Sequence, residues 1–133
     1  MRRLLISTAI ATLFFGTLFA QTSTEQNTYV SVMLYPDTDH GTCNIGMQVN
    51  AGGAVLRAGP SVDFAVIATL KAGHVVSMCD ERDDWYGIID GQDINDGQER
   101  TCSIGISVTT TQPYVGPCRS GWIEHGFLTG IYG

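Results

Sequence analysis

The central stretch of this chain, residues 54–89, consists of short apolar runs separated by turn-forming residues. Apolar and polar residues alternate most clearly at 54–57 and 66–70, and a glycine follows each run within three residues. A third run at 76–78 ends in the charged corner 80–84. Alternation with a period of two, bounded by glycine, proline or charged corners, indicates short β-strands joined by tight turns.

Four short motifs of the chain resemble the bacterial Src-homology-3 (SH3) family. They are Leu-Arg-Ala-Gly-Pro-Ser at 56–61, Leu-Lys-Ala-Gly at 70–73, Trp-Tyr at 85–86 and Gly-Trp-Ile at 121–123. They occur in the family's order, and the resemblance covers 54–89 and resumes at 120–128. It implies an all-β, SH3-like barrel of five to seven strands. The segment 90–119 is then an insertion, where typical members have only a short hairpin loop.

The first twenty residues have the features of a secretory signal peptide. Arg2 and Arg3 precede an uncharged apolar run, and Ala20 precedes a polar segment. A transmembrane anchor needs about 20 apolar residues, whereas this run is shorter and threonines interrupt it. A lipid-anchored protein would need a cysteine at its new N-terminus, and no cysteine directly follows the apolar run. We therefore expect an exported protein, periplasmic or secreted, that begins near Gln21 and has no membrane anchor after cleavage.

Removal of residues 1–20 leaves five basic and thirteen acidic residues, a formal charge of −8. The remaining length predicts one small domain. We divide it into a polar lead-in, 21–42, with a possible extra strand at 29–35, and a barrel, 43–133, that carries the insertion. The acidity argues against nucleic acid as a partner, because lysine and arginine supply most of the affinity for phosphates. It also argues against attraction to anionic lipids.

All four cysteines, Cys43, Cys79, Cys102 and Cys118, follow the signal segment. An even number in an exported domain indicates disulfides. A zinc site is disfavoured because there is no Cys-x-x-Cys pair and the spacings are 36, 23 and 16. Three pairings are possible, and the sequence alone leaves the connectivity open. We favour Cys102 with Cys118, which closes the insertion on itself, and Cys43 with Cys79, which ties the lead-in to the barrel.

The acidic, glycine-rich part of the insertion invites a calcium-binding interpretation, but its register does not fit. If Gly97 takes the sixth position of an EF-hand loop, Gln92 falls at the first ligand position and Ile94 at the third. The charged loop is better explained as solvated surface. We expect no metal and no cofactor.

Cysteine–histidine catalysis is the enzymatic alternative. Cell-wall hydrolases often carry domains of the bacterial SH3 family, and some of these enzymes use a Cys-His catalytic pair. The histidine candidates are His40, His74 and His125. A nucleophilic cysteine needs a nearby base and usually lies at a helix N-terminus, whereas the chain after residue 20 has no helical periodicity and disulfides account for its thiols. The motifs of serine hydrolases, zinc proteases and phosphate loops do not occur. We expect a non-catalytic protein with no catalytic residues.

Adjacent aromatic residues and nearby acids form the candidate ligand site. Strand alternation places Trp85 with Ile89 and Tyr86 with Ile88, so one aromatic ring should face inward and the other outward, and the sequence does not show which. Trp122 in Gly-Trp-Ile resembles the family's core-facing aromatic residue and is expected to be structural. The candidate ligand-binding residues are Asp63, Phe64, Asp83, Asp84, Trp85, Tyr86 and Tyr114.

The resemblance implies a binding module that recognises cell-wall peptide or another exported protein. Aromatic faces and carboxylates attract ammonium groups, so the candidate site favours a ligand with an amine. The same acids are also explained by solubility alone. The alternative function is a structural or inhibitory partner protein that docks on another exported protein through the insertion.

Overall fold

The computed structural model of the protein describes residues 16, 28–36, 43–91, 102–104 and 107–131. The predicted signal peptide, apart from residue 16, lies outside the described residues, and so does its cleavage site. His40 and the segment 92–100, which contains the EF-hand comparison, lie outside them as well.

Nine β-strands and one short 3-10 helix make up the regular structure of the described residues. The strands are β1 (Met33–Leu34), β2 (Ile45–Val49), β3 (Ala54–Arg57), β4 (Val66–Leu70), β5 (Val75–Arg82), β6 (Trp85–Asp90), β7 (Gln112–Pro113), β8 (Arg119–Glu124) and β9 (Leu128–Ile131). The helix, His125–Phe127, joins β8 to β9. Seven strands form one antiparallel sheet in the order β4-β3-β8-β6-β5-β2-β9, and β1 pairs with β7 in a second, two-stranded sheet.

One face of the seven-stranded sheet forms an apolar cluster that we call the barrel core. It consists of Met47, Val49, Ala54, Leu56, Leu70, Val76, Ile88, Ile123 and Leu128. Every strand of the sheet contributes to it. A flat sheet of this size would be about 29 Å wide, because neighbouring strands lie about 4.8 Å apart. Its two edges could not share one cluster, so the sheet curls on itself. The all-β, SH3-like barrel predicted from the sequence is confirmed, with seven strands.

Part of the opposite face of the sheet is buried too, in what we call the outer cluster. Its buried members are Val32, Leu34, Ile89, Cys102, Tyr114 and Trp122. Trp122 is structural, as expected, but it points away from the barrel core, whereas its neighbour Ile123 points into it. The lead-in crosses β6 at Gly87, where an added Cβ would lie 2.7 Å from the Asp80 Cβ and 3.1 Å from a methyl group of Val32. Only a glycine leaves room for this crossing.

Hydrogen bonds fix the described part of the lead-in, residues 28–36, against the barrel. The Val30 N–H donates to the Ala58 carbonyl oxygen (2.8 Å), and Trp122 Nε1 donates to the Val30 carbonyl oxygen (2.8 Å). The Met33 N–H donates to the carboxylate of Asp80 (3.0 Å), which is 2% exposed. A buried carboxylate left without such donors would be strongly destabilising. Residues 28–36 therefore pack against the barrel, and the extra strand predicted at 29–35 is shortened to β1.

Both favoured disulfides are present. One joins Cys43 to Cys79 and the other joins Cys102 to Cys118. All four cysteines belong to the outer cluster or pack against it. The disulfides thus fasten the lead-in and the insertion, the two segments that have the least regular structure, to the outside of the barrel.

The strand β5 is longer than the sequence suggested. We expected it to end at the charged corner that begins at Asp80, but it continues to Arg82. Asp80 is buried with its carboxylate hydrogen-bonded, and the Arg82 guanidinium lies 5.1 Å from the ring centre of Trp122. These contacts stabilise Asp80 and Arg82 within the strand. The turn between β5 and β6 therefore contains only Asp83 and Asp84.

The insertion also differs in its regular structure. Alternation of apolar and polar residues predicts a strand at 104–108, followed by a loop at 109–117. In the structure, residues 104, 107 and 108 are not in a strand, and 105–106 lie outside the described residues. The segment 109–117, expected to be a loop, contains β7 instead, because Gln112 and Pro113 pair with the lead-in strand β1. The alternation of apolar and polar residues within the insertion does not show that β7 pairs with β1.

The two ends of the insertion meet on neighbouring strands. Asp90 of β6 lies opposite Arg119 of β8. The Asp90 carboxylate is buried and accepts hydrogen bonds from Arg119 Nη2 (2.7 Å) and His74 Nε2 (2.7 Å). Two donors, one of them always charged, offset the cost of burying this carboxylate. His74 therefore has a structural role at the base of the insertion.

Candidate functional site

The loop between β3 and β4, residues 58–65, is held in shape by the side chain that precedes it. Arg57 Nη1 donates hydrogen bonds to the carbonyl oxygens of Val62 (3.1 Å) and Phe64 (3.0 Å). The ring of Phe64 lies against Gly59, where a Cβ atom would have no room. The loop presents Val62 to solvent, and this side chain is 65% exposed. The loop is therefore a fixed wall with an apolar tip.

A small groove opens beside this loop, on the outside of the barrel, and we call it the loop groove. It has a volume of about 110 Å³. Its walls are Val55, Arg57, Val62, Trp85, Glu124 and Phe127. Small-molecule sites usually measure roughly 300–1,000 Å³. The loop groove therefore has room for one side chain of a longer ligand.

Strand pairing brings the walls of the loop groove together from distant parts of the chain. Arg57 of β3 lies opposite Trp122 of β8, and Trp85 of β6 lies opposite Glu124 of β8. Cross-strand partners share a face of the sheet, as do residues two apart on one strand. Arg57, Trp85 and Glu124 therefore all lie on the face opposite to the barrel core.

The 3-10 helix supplies the remaining aromatic wall, Phe127. The His125 N–H donates to the Asp84 carbonyl oxygen (2.8 Å), and the Asn50 N–H donates to the Phe127 carbonyl oxygen (2.9 Å). These bonds tie the helix to the β5–β6 hairpin at one end and to the end of β2 at the other. Phe127 remains 45% exposed. An exposed ring fixed beside a groove is available to a ligand.

The loop groove contains opposite charges, those of Arg57 and Glu124. Arg57 Nη1 is bonded to the two loop carbonyls. Within the described part of the chain, the Glu124 carboxylate has neither a hydrogen bond nor an ion pair, and Arg57 has no ion pair. Both charges thus face a small, partly apolar space without neutralising each other.

Of the two adjacent aromatic residues, Trp85 faces outward and Tyr86 faces inward. Trp85 lines the loop groove and packs against the outer cluster. Tyr86 packs against the barrel core, and its ring stacks on that of His125 with centroids 3.8 Å apart. The structure therefore brings Trp85, but not Tyr86, to the groove.

Four other candidate residues lie near the loop groove without lining it. Asp63 is exposed and hydrogen-bonded to the Ser61 hydroxyl in the same loop, and Phe64 packs on the loop itself. Asp83 and Asp84 are exposed at the tip of the β5–β6 hairpin, immediately before Trp85. The apolar wall on the loop side is thus Val62 rather than Asp63 or Phe64.

Tyr114 lies in the outer cluster rather than at the loop groove. It is 7% exposed. Its hydroxyl donates to the Cys102 carbonyl oxygen (2.6 Å) and accepts from the Cys118 N–H (3.2 Å). Burial raises the pKa of Tyr114 above its ordinary value. The side chain closes the insertion across the disulfide.

Sequence reasoning did not select Val55, Arg57, Val62, Glu124 and Phe127. Alternation does place Val55 and Arg57 on the face opposite to Leu56, and Glu124 on the same face as Trp122. Their meeting depends on β8 lying between β3 and β6, and nothing local in the sequence reports that neighbourhood. The sequence therefore predicts which face of its strand each residue occupies, but it does not predict which strands are neighbours.

The described residues offer neither a metal site nor a free thiol. They contain no group of three histidine, cysteine or acidic side chains placed to hold a metal ion. All four cysteines are disulfide-bonded, so none is available as a nucleophile. No helix in the described part of the chain is both long enough and apolar enough to cross a bilayer.

A curled antiparallel sheet of short strands around one apolar core places the chain in the class of small SH3-like β-barrels. The family model of the bacterial SH3 domain matches residues 52–100. Residues 52–100 are therefore similar to the bacterial SH3 domain, and a disulfide-closed segment follows β6. The match ends before β8, which the structure places between β3 and β6 in the same sheet. Comparison with curated proteins and with solved structures gave no significant match.

Proposed function

We propose that this protein is an exported, non-catalytic binding module that recognises cell-wall peptides at the loop groove. The observation that carries the proposal is the groove itself, where Val62, Trp85 and Phe127 surround a space for one side chain next to the Glu124 carboxylate. A bacterial SH3 domain is consistent with a binding role. The two disulfides fit an oxidising compartment outside the cytoplasm.

The charges around the groove favour a peptide that bears an amine. An ammonium group is attracted both by the face of an indole ring and by carboxylates. Glu124 lies in the groove, and Asp83 and Asp84 lie at the hairpin next to Trp85. A formal charge of −8 after removal of residues 1–20 repels polyanions such as nucleic acid.

Substitution of two exposed side chains, with a matched control, tests whether the loop groove binds the ligand. Val62→Ser combined with Phe127→Ser removes apolar wall, whereas Val115→Ser alters a residue of the insertion that is 90% exposed. Exposed substitutions change stability little, so all variants should fold. In sedimentation with purified peptidoglycan, we expect the double variant to bind about tenfold more weakly and Val115→Ser to bind like the wild type. Wild-type affinity in the double variant would contradict the loop groove as the site.

The acidic hairpin is tested by charge removal. Asp83→Asn with Asp84→Asn should weaken binding of a lysine- or diaminopimelate-containing peptide about twofold to threefold at low salt, because both acids lie near the groove but outside it. At moderate salt the difference should vanish, since the screening length falls to about 8–10 Å. If neither the substitutions nor salt changes the affinity, the hairpin acids do not contribute to ligand binding.

A second candidate function is docking on another exported protein through the insertion. Val115 is 90% exposed, and it borders a wider depression of about 650 Å³ that includes Val108 and Pro113. Pro113, Val115 and Pro117 are all exposed around this depression, and neighbouring exposed apolar residues are typical of a contact surface. A pulldown from periplasmic extract separates the two functions: loss of a captured protein with Val115→Ser, but not with the groove variant, favours docking through the insertion.

A further inference from the structure

Two opposite charges share the loop groove without pairing. Arg57 and Glu124 both line a space of about 110 Å³. In the described residues they form no ion pair with each other or with any other side chain. A guanidinium has five N–H donors, and Arg57 Nη1 makes its only two side-chain hydrogen bonds within the described structure, to the loop carbonyls. Its Nε and Nη2 donors remain for a ligand.

The loop carbonyls hold the guanidinium in place, so the cation is pre-organised. A pre-organised charge loses little freedom when a ligand binds, which favours specific recognition over loose attraction. A guanidinium fork also matches the geometry of a carboxylate better than that of a neutral group. Arg57 therefore suits a carboxylate, while Glu124 and the ring of Trp85 suit an ammonium group.

The apolar walls of the loop groove indicate which part of a ligand accompanies its ammonium and carboxylate groups. Val55, Val62 and Phe127 line the same space, and they suit a short aliphatic chain. We propose that the loop groove binds an amino-acid head group, with ammonium and carboxylate on the same carbon atom, at the end of an aliphatic side chain of a peptide. This inference rests on the proposed function and narrows its ligand class. The free end of a diaminopimelate side chain has this chemistry, whereas lysine carries the ammonium alone.

Ligand chemistry tests the role of Arg57 without disturbing the loop that it holds. The probes are L-alanyl-γ-D-glutamyl-meso-diaminopimelic acid, the same tripeptide amidated at the free side-chain carboxylate, the same tripeptide acetylated at the side-chain amine, and the lysine tripeptide. Titration calorimetry with the wild type should show the first probe binding most tightly. Loss of one charged hydrogen bond should weaken each of the other three about tenfold.

The Glu124 side of the groove is tested with a matched pair of variants. Glu124→Gln should weaken the unmodified tripeptide about tenfold and should abolish the penalty for acetylating its amine. Glu81→Gln makes the same change in net charge at an exposed residue outside the groove, and it should bind like the wild type. Circular dichroism and thermal unfolding confirm that both variants are folded.

The outcomes separate this inference from the proposed function. If the lysine and amidated peptides bind as tightly as the unmodified one, the amino-acid head group is wrong, although peptide recognition stands. If none of the four probes binds while peptidoglycan still sediments the protein, the head group is again wrong. If neither the probes nor peptidoglycan binds, both proposals fail.

Discussion

The barrel core and the outer cluster lie on opposite faces of the same sheet and are built in different ways. The barrel core takes apolar side chains from seven regular strands. The outer cluster takes them from the outer face of the sheet and from the lead-in and the insertion, whose strands β1 and β7 have two residues each. It also collects all four cysteines. Segments with so few ladder hydrogen bonds need covalent closures and buried polar contacts to stay ordered, and the outer cluster has both.

Two adjacent residues of β8 give the strongest test of whether the barrel core and the outer cluster are separate. Trp122→Ala removes the centre of the outer cluster and Ile123→Ala removes part of the barrel core, and both side chains are fully buried. We expect a loss of about 4 kcal/mol for the tryptophan and about 3 kcal/mol for the isoleucine in urea unfolding. In amide hydrogen exchange, Trp122→Ala should expose 30–34 while 45–49 stays protected. Ile123→Ala should loosen both regions.

Equal loss of protection everywhere in both variants would mean that the two clusters unfold as one unit. The outer cluster would then be an extension of the barrel core rather than a second layer. Selective loss in Trp122→Ala is what the separate memberships of Trp122 and Ile123 lead us to expect.

Disulfide removal asks whether covalent closure stabilises the outer cluster. Replacing Cys102 and Cys118, or Cys43 and Cys79, by alanine should cost roughly 3 kcal/mol for each pair in the chain-entropy model. Reductant breaks both disulfides, so it should destabilise the wild type by about the sum of the two losses. Thiol labelling of the denatured, unreduced protein should find no free cysteine. Retention of wild-type stability by either alanine pair would show that the buried contacts suffice without that bond.

The barrel was predictable because its information is local. Alternation at 54–57 and 66–70, with glycine after each run, defines strands whatever their neighbours are. The outer cluster was not predictable, because its partners lie far apart along the chain: Trp122 contacts Val30, and β7 pairs with β1. The cysteines were the one distant signal that the sequence carried, and the favoured pairing was correct.

A smaller effect is expected at Tyr114, whose hydroxyl closes the insertion. Tyr114→Phe keeps the ring but leaves the Cys118 N–H and the Cys102 carbonyl oxygen without this partner. Lost hydrogen bonds of this kind should cost about 1–2 kcal/mol at pH 7. A loss below experimental error would indicate that water replaces the hydroxyl.

The same residue gives a pH dependence. Burial raises the folded-state pKa of Tyr114 above its ordinary value of 10.0, so the folded protein holds this proton more tightly than the unfolded chain. The stabilisation is complete below pH 10 and is lost as the pH rises through the folded pKa. Urea unfolding at pH 7 and above pH 10 should therefore show the difference between wild type and Tyr114→Phe shrinking at alkaline pH. A constant difference would contradict this assignment.

The smallest effect is expected at the hairpin tip, away from both clusters. Asp83 has a φ of 51° and is exposed, and a left-handed conformation strains any residue with a Cβ atom. Asp83→Gly removes this strain but adds freedom to the unfolded chain, so we expect a gain of about 0.5 kcal/mol at most. The control is Asp84→Gly, which lacks the positive φ and should not stabilise. A stabilising Asp84→Gly would show that relief of acidic repulsion, rather than strain, is the cause.

The candidate site was predictable only where its residues are neighbours in the sequence. Aromatic residues next to an acidic turn indicated Trp85, which the structure places in the loop groove. Tyr86 and Tyr114 have buried structural contacts that a count of aromatics and charges cannot reveal. Glu124 and Arg57 require the register between β8 and its two neighbours, which is a property of the whole sheet.

The contact between Val30 and Trp122 also imposes an order on biosynthesis. A ribosome makes the lead-in first, yet the indole that donates to Val30 is added 92 residues later. During that interval the strands from β2 to β6 can already form hairpins, because they are close in sequence, whereas the lead-in has no completed surface to dock on. Contacts of such long range slow folding. The lead-in is thus made before the surface on which it docks, and it is among the last segments of the domain to reach its native position.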